Sequence, residues 1–290
     1  MDMTKILTFG EALIDMLPLD DTNTVYEKCA GGAPANVAVG IAKLGGNAAF
    51  MTTIGNDANG RFLTDTCASY GVDTTSMHTT DKAHTGMAFV TLENGERSFD
   101  FIVQPSADQF LSVATVREAK AAFDGVTIFH YGSLSCTQES TKQATIAAIK
   151  QAKAQGALIS YDPNLRLNLW QNEALARETI LDMWQYADIV KISEEEHTFL
   201  GELPTCKLLV ITQGEKGCIV QTAARSFHVP GVAASVVDTT GAGDAFVAAM
   251  LQSIVEQRSL EEIFARANKA GAMAVTRKGA MTGLPMAEEL

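Results

Sequence analysis

Positive charge is scarce in this chain: 22 Lys and Arg stand against 34 Asp and Glu in 290 residues, a formal net charge of −12. A field of that sign repels nucleic-acid phosphates and anionic membranes, so neither is an expected partner. Any anionic substrate then needs local help from helix dipoles, lysines or a metal ion. Cysteine is sparse and unpaired. Cys29, Cys67, Cys136, Cys206 and Cys218 are scattered, odd in number and form no CxxC, which argues against a disulfide framework or a zinc site. Long apolar runs are missing too. The first one, after Met1-Asp2-Met3-Thr4-Lys5, is soon broken by Glu11 and Asp15. Neither a signal peptide nor a membrane span is expected, and the cytoplasm is the expected compartment.

What is present describes a globular chain with a substantial interior: 47% hydrophobic and 19% charged residues. No internal repeat, low-complexity tract or long linker divides it, so residues 1–290 are expected to form a single α/β domain with a small appendage. Ile6 to Phe9 reads as a buried first strand ending at Gly10, with Asp15 just beyond. Gly31-Gly32-Ala33-Pro34-Ala35-Asn36 follows, leading into a helical pattern of Val37, Ile41 and Leu44 that closes at Gly45-Gly46. Asn36 at that helix start has two readings, an N-cap or an amide contact to a polar ligand over the glycines.

Residues 85–104 break the pattern of their surroundings. Glu93-Asn94-Gly95-Glu96 carries a tight-hairpin signature between two alternating runs, Met87–Thr91 and Arg97–Phe101. Together with about 16–30 it suggests a small accessory β lid. Arg97, Phe99, Phe101 and Val103 share one face, either packed on the body or closing over a substrate. From residue 126 onward, apolar runs at 126–131, 158–161, 188–192 and 207–212 alternate with helical stretches such as 140–154 and 173–186. Repeated strand-helix units imply a parallel sheet covered on both faces, with ligands outside the carboxyl ends of its strands. Those ends read Asp162-Pro163-Asn164-Leu165-Arg166, Lys191-Ile192-Ser193-Glu194-Glu195-Glu196 and Thr212-Gln213-Gly214-Glu215-Lys216-Gly217. Residues 217–237 look strand-like, 260–275 helical, and 276–285 a loop by their glycine and proline content.

The strongest local feature is Asp238-Thr239-Thr240-Gly241-Ala242-Gly243-Asp244-Ala245-Phe246, followed by Val247, Met250, Leu251 and Ile254 at helical spacing. A glycine turn that opens a helix is an anion site. The first amides have no internal partner, and the macrodipole adds partial positive charge. Asp244 beside such a turn would repel a phosphate, a cost that suggests chemical work: taking a proton from an attacking hydroxyl. The bland alternative is tight helix-sheet packing with an ordinary first-turn Asp.

Other motifs fall short. The late glycines meet Phe246 where a dinucleotide fingerprint wants a third small residue, and Gly55 to Gly60 has P-loop spacing but continues as Arg61-Phe62. No GxSxG or HExxH occurs, and the five histidines are too scattered to propose as ligands.

Taken together, the early Gly31–Asn36 and late Asp238–Phe246 stretches resemble the two signatures of the ribokinase-like (PfkB) sugar kinases, and the likeness runs from Ile6 to Pro285. Glu96-Arg97-Ser98-Phe99, Pro105-Ser106-Ala107-Asp108, Asp162–Arg166 and Ser193–Glu196 look most like bacterial fructokinases, and aminoimidazole riboside kinases are similar in several of these places. The resemblance implies a three-layer sandwich with a central mostly parallel sheet and a β lid. It implies an ATP-dependent, magnesium-requiring transfer of a phosphoryl group to a sugar primary hydroxyl, D-fructose first. An aminoimidazole riboside, a 2-keto-3-deoxygluconate kinase or a non-catalytic sugar-binding regulator are the alternatives.

The resemblance also assigns roles. Asp244 is the base, with the amides of Gly241, Ala242 and Gly243 at the moving phosphoryl group. Asp15, Gly31, Gly32 and Asn36 hold the sugar, with Arg97, Phe99, Phe101 and Arg166 as further contacts. Lys191, Ser193, Thr212, Gly214, Gly217 and Asn268 border the nucleotide. Glu196 organises Mg2+ through water, and Asp238, Thr240, Ala274, Arg277 and Gly279 match a monovalent-cation loop for K+. Ser193 stands where many members have Asn, Gly283 where ribokinases have Ser, and Leu200–Cys206 is shorter than in relatives. Exposed lid edges suggest a homodimer.

Overall fold

The apolar runs pair as one large sheet, and the β-branched and aromatic residues in them pack on both of its faces. The computed structural model describes residues 4–20, 22–93, 96–101 and 104–290, with backbone alone for 92–93 and 96–99. The strands are β1 Lys5–Phe9, β2 Leu13–Pro18, β3 Tyr26–Gly31, β4 Asn47–Gly55, β5 Met77–Thr80, β6 Gly86–Glu93, β7 Glu96–Phe101, β8 Val126–Gly132, β9 Leu158–Asp162, β10 Ile189–Ser193, β11 Leu208–Thr212, β12 Gly217–Thr222 and β13 Ser226–Pro230. The helices are α1 Ala33–Lys43, α2 Ala58–Ser69, α3 Val113–Glu118, α4 Glu139–Ala154, α5 Glu173–Trp184, α6 Glu194–Leu200, α7 Ala242–Val255, α8 Leu260–Ala274 and α9 Ala280–Gly283.

The large sheet has the order β13-β12-β11-β10-β9-β8-β1-β4-β5 and is parallel from β11 to β5, with β12 and β13 antiparallel at one edge. Helices α1, α7 and α8 bury one face around Val37, Ile41, Phe246, Met250, Leu251 and Phe264. Helices α4 and α5 bury the other around Ala144, Ile149, Ile180 and Trp184. Each fully buried Leu, Phe or Met contributes roughly 1.5–3 kcal/mol. Helix α7 is buried along Ala245–Ser253, which holds its amino end rigidly at the sheet's edge. Three layers around a mostly parallel sheet are the expected architecture.

A second sheet, β3-β2-β6-β7, stands on the carboxyl edge of the first. Strands β6 and β7 pair antiparallel from Ala88 opposite Phe101 to Glu93 opposite Glu96, so the hairpin forms; its Asn94-Gly95 turn lies outside the described residues, as does Val103. Asp15, just past the first strand, belongs to β2 of this sheet, opposite Cys29. Two contacts fix the sheet to the body. The Lys28 ammonium lies 4.1 Å over the Phe62 ring, and Asp57 accepts from the Thr85 amide at 2.9 Å where β6 begins. The P-loop-like stretch from Gly55 is thus a helix start capped by Asp57, which also accepts from Asn59 and Gly60.

Three local expectations are corrected. Asn36 is not the cap of α1; Gly32 is, and Asn36 sits one turn inside, because Pro34 already occupies the helix's opening turn. Only 217–222 and 226–230 of the strand-like stretch pair, while 231–237 has no ladder partner among the described residues. The 276–285 segment holds the short helix α9 within its loop. No helix among the described residues is long and apolar enough to cross a membrane.

Candidate active site

Parallel pairing delivers the polar strand ends to one edge. Val190 pairs with Tyr161, which sets Lys191 beside Asp162, and the two form a buried ion pair at 3.0 Å. Above that edge, the amino end of α7 faces the small sheet. Between them lies a cavity of about 400 Å3 lined by Asp15, Gly32, Asn36, Phe101, Arg166 and Asp244, with Gly241 and Gly243 at its side. The residues expected to hold the sugar and the one expected to act as base thus line one cavity although they are up to 229 positions apart (244 minus 15). The side chains of Arg97 and Phe99 lie outside the described residues.

A second cavity of about 430 Å3 lies on the other side of the turn. Thr212, Gly214, Gly217, Ala242 and Asn268 line it, and apolar walls come from Val232, Val236, Phe246 and Val275. Asn268 donates to the carbonyls of Val229 and Pro230 at 3.1 and 3.0 Å, which pins the unladdered 231–237 segment as one wall. Thr239 and Gly243 line both cavities, so the two meet at the start of α7.

Gly241 makes this turn possible: its φ of 79° is left-handed, and an added Cβ would stand 3.0 Å from the Ala280 Cα. Ala242 N donates to Thr239 O at 3.3 Å and Ala245 N to Gly241 O at 2.8 Å, leaving the amides of Gly243 and Asp244 without a partner among the described residues. Those amides and the dipole make the anion site expected of such a turn. Lys191 adds positive charge, its Nζ lying 3.5 Å from where a Gly243 Cβ would be.

The early glycines serve the acids. A Cβ on Gly31 would fall 2.1 Å from Asp15 Oδ2, and one on Gly32, at φ 104°, would fall 2.5 Å from the Glu11 carbonyl oxygen. Burial pushes the Asp15 carboxyl up to about 7, with the Asp244 charge adding to it. Burial likewise raises Asp244 to about 6, against the Asn36 amide and the Lys191 and Arg166 charges that favour its ionised form. For Lys191 burial acts downward, but the Asp162 and Glu196 carboxylates outweigh it and its pKa rises. A base poised near neutrality beside an anion turn can accept a proton from an alcohol as it attacks phosphorus.

The remaining assigned residues separate. Lys191 stands in the sugar-side cavity, away from the second one. Ser193 spends its hydroxyl capping α6, accepting from Glu196 N at 3.1 Å. Glu196 accepts from Leu165 N and Ser193 N, both at 2.7 Å. With both carboxylate oxygens so engaged, and no group of three His, Cys, Asp or Glu able to hold a metal among the described residues, these side chains fit a magnesium ion touched through water and not an all-protein cage. Asp238, 2% exposed, accepts from Thr240 N at 2.8 Å and Gly279 N at 2.9 Å, tying the α8–α9 loop to the catalytic turn. Ala274 O stands 3.2 Å from a Gly283 Cβ position, so the small residue there keeps that carbonyl approachable. Arg277 turns away to pair with Glu289.

Two groups were not legible beforehand. Asp162, as the partner of Lys191, depends on strand neighbours that no spacing reveals. Glu11, 6% exposed, accepts from Ala33 N at 3.2 Å and borders the sugar-side cavity. The available signal was a carboxylate immediately after a buried strand.

Residues 3–287 match the pfkB family carbohydrate kinases. The chain is 43% identical to a fructokinase-1 of Oryza sativa subsp. japonica, covering 98% of this chain and 96% of that one. It superposes with a TM-score of 0.92 on the fructokinase with bound ATP from Xylella fastidiosa, at 36% identity and 98% and 96% coverage. On the fructokinase from Vibrio cholerae O395 in fructose, ADP and calcium ion bound form, the TM-score is 0.88 at 37% identity, with 98% and 97% coverage. With its two cavities meeting at one glycine turn and its whole length matched, the chain belongs to the pfkB family of carbohydrate kinases.

Proposed function

We propose that this chain is an ATP-dependent kinase that converts D-fructose to fructose 6-phosphate, with the sugar in the Asp15–Asn36 cavity and the nucleotide in the Thr212–Asn268 cavity. The observation that carries this is the position of Asp244 in the sugar-side cavity, next to Gly243 at the α7 amino end, which lines both cavities. Relatives named as fructokinases, and structural neighbours with bound ATP and with bound fructose and ADP, support the same acceptor.

In this reading Asp15 and Asn36 orient the sugar, and Arg166 closes the same cavity. Asp244 takes the proton from the primary hydroxyl. The amides at Gly241 and Gly243, with Lys191 behind them, stabilise charge on the transferring group, where preorganised donors act most strongly, while the Ala242 amide, expected to share this work, is engaged by Thr239 O. Glu196 would hold magnesium through water, and that ion would neutralise charge on the transferring group. Asp238, Thr240, Ala274, Arg277 and Gly279 would hold potassium, which would add positive charge near the same turn. Residues 1–290 are read as one kinase unit, with a lid at about 16–30 and 85–104 that excludes water. The exposed lid edge is read as the contact of a cytoplasmic homodimer.

The test is a coupled ADP-release assay with fructose, ribose, an aminoimidazole riboside and 2-keto-3-deoxygluconate side by side. The expected result is the highest kcat/KM on fructose. ADP release confined to another acceptor would replace fructose, and sugar binding without ADP release across the panel would favour a non-catalytic sensor.

A further inference from the structure

The acceptor cavity has a neighbour. A pocket of about 60 Å3, room for a few waters, lies between the small sheet and the body, walled by Leu13, Gly86, Ser106 and Asp108. Glu11, Leu13, Phe101 and Leu134 line both this pocket and the acceptor cavity, so they form the partition between the two. Glu11 is its one polar member.

Its two oxygens are treated unequally. Oε1 accepts from the Ala33 amide at 3.2 Å and so holds the first turn of α1, on which Asn36 is carried. Oε2 is buried and has no hydrogen-bond partner among the described residues. A buried polar atom left unsatisfied costs roughly 1–3 kcal/mol, so its retention at the wall of a ligand cavity points to a partner that arrives with the ligand. The charge around it decides which form the group takes. Facing Glu11 across the two cavities are Asp15, Asp108, Asp162 and Asp244, against Arg166 and Lys191. Lys191 is already spent on Asp162. A second negative charge at this wall would meet mostly other carboxylates.

We propose that Glu11 is an acceptor-binding and specificity residue that works as the neutral acid: its Oε2–H donates a hydrogen bond to an oxygen of the bound sugar while Oε1 keeps hold of Ala33. Desolvation supports this assignment, since burial pushes the Glu11 carboxyl up to about 8 against the opposing pull of the Glu11 and Ala33 amides, with Asp108 and Asp244 adding to the rise. The neutral form suits an uncharged polyhydroxy acceptor. When ionised, the same group loses its donor and adds negative charge, which disfavours acceptors that carry a carboxylate. This rests on the sugar-kinase reading, and the experiment separates the two.

Wild type, E11Q and E11A are assayed for fructose KM, ATP KM and kcat between pH 6.5 and pH 9, values chosen to bracket the raised carboxyl. E11A is expected to raise fructose KM about tenfold or more with ATP KM unchanged, as loss of one buried hydrogen bond implies. The neutral isostere in E11Q, which keeps both an acceptor and a donor, recovers most of that loss. Wild-type fructose KM is expected to climb above about pH 8 and that of E11Q to stay flat over that range, where Asp15, pushed up to about 7, is largely ionised in both, a difference that a purely structural tie to Ala33 would not produce. If E11A does not fold, the E11Q pH profile decides alone. An unchanged fructose KM in a folded E11A, or the same climb in E11Q as in wild type, overturns the Glu11 assignment. A wild type that releases no ADP with fructose defeats the fructokinase reading instead.

Discussion

Asn36 Nδ2 donates a 2.8 Å hydrogen bond to Asp244 Oδ2, joining α1 to α7 across 208 residues of sequence. Each glycine-rich signature thereby supplies one partner of a single bond at the catalytic turn. The bond favours the ionised carboxylate that a base requires, against the burial that disfavours it. The Asn36 Oδ1 is buried with no partner among the described residues, leaving the other end of the amide to meet a ligand.

Replacing Asn36 with Ala removes that donor. The acid limb of kcat/KM, expected near pH 6 in the wild type, should move to higher pH, and fructose kcat/KM should fall roughly tenfold or more. A pH-rate profile of N36A checks it. An acid limb that stays in place would show that the bond does not tune the base.

Replacing Asp244 with Asn or Ala should lower kcat by about 10²–10⁴-fold, with fructose binding still measurable by calorimetry. Turnover near that of wild type would sink the base assignment. D244N should also be the more stable protein at pH 7. The folded-state pKa near 6 exceeds the ordinary 3.8, so this group contributes most to stability below pH 4, and that contribution is lost as pH rises through 6. The difference is worth on the order of 1–3 kcal/mol at neutral pH. Urea melts at pH 4 and pH 7 should show the gap between wild type and D244N opening with pH.

The Lys191–Asp162 pair, with both side chains under a tenth exposed, predicts an asymmetry. K191M leaves a carboxylate buried without its cation and should cost about 3–5 kcal/mol of stability. Adding D162N to K191M should recover a large part of it, without recovering turnover if Lys191 also serves the anion turn. Denaturant melts and the ADP-release assay on both variants check this. A double variant no more stable than K191M would show that the pair is not a closed unit.

Much of the fold was legible in one dimension because the periods are local. Apolar runs bounded by Gly and polar clusters mark β8 to β11, and the spacing of Val247, Met250, Leu251 and Ile254 marks α7. The same holds for the late turn, since a left-handed Gly241 before a helix is a short-range fact of backbone geometry. Local signals misled where they were ambiguous. Asn36 is a good cap by residue type, yet Gly32 and Pro34 had already started the helix. Ala233 to Val237 looks like strand, but no neighbouring edge is there to pair with it.

The chain's order of residues alone settled which elements form, how the sheet is covered and where an anion can sit, since each follows from side-chain period, glycine φ and unpaired helix amides. Tertiary structure decided the chemistry of the acids. Asp15, Asp162 and Asp244 have ordinary spacings. They differ in role because folding buries one against Gly31, gives another a lysine, and sets the third in the sugar-side cavity beside Asn36. Proton affinity depends on desolvation and on charges a few ångströms away, and those distances exist only once the chain has closed on itself.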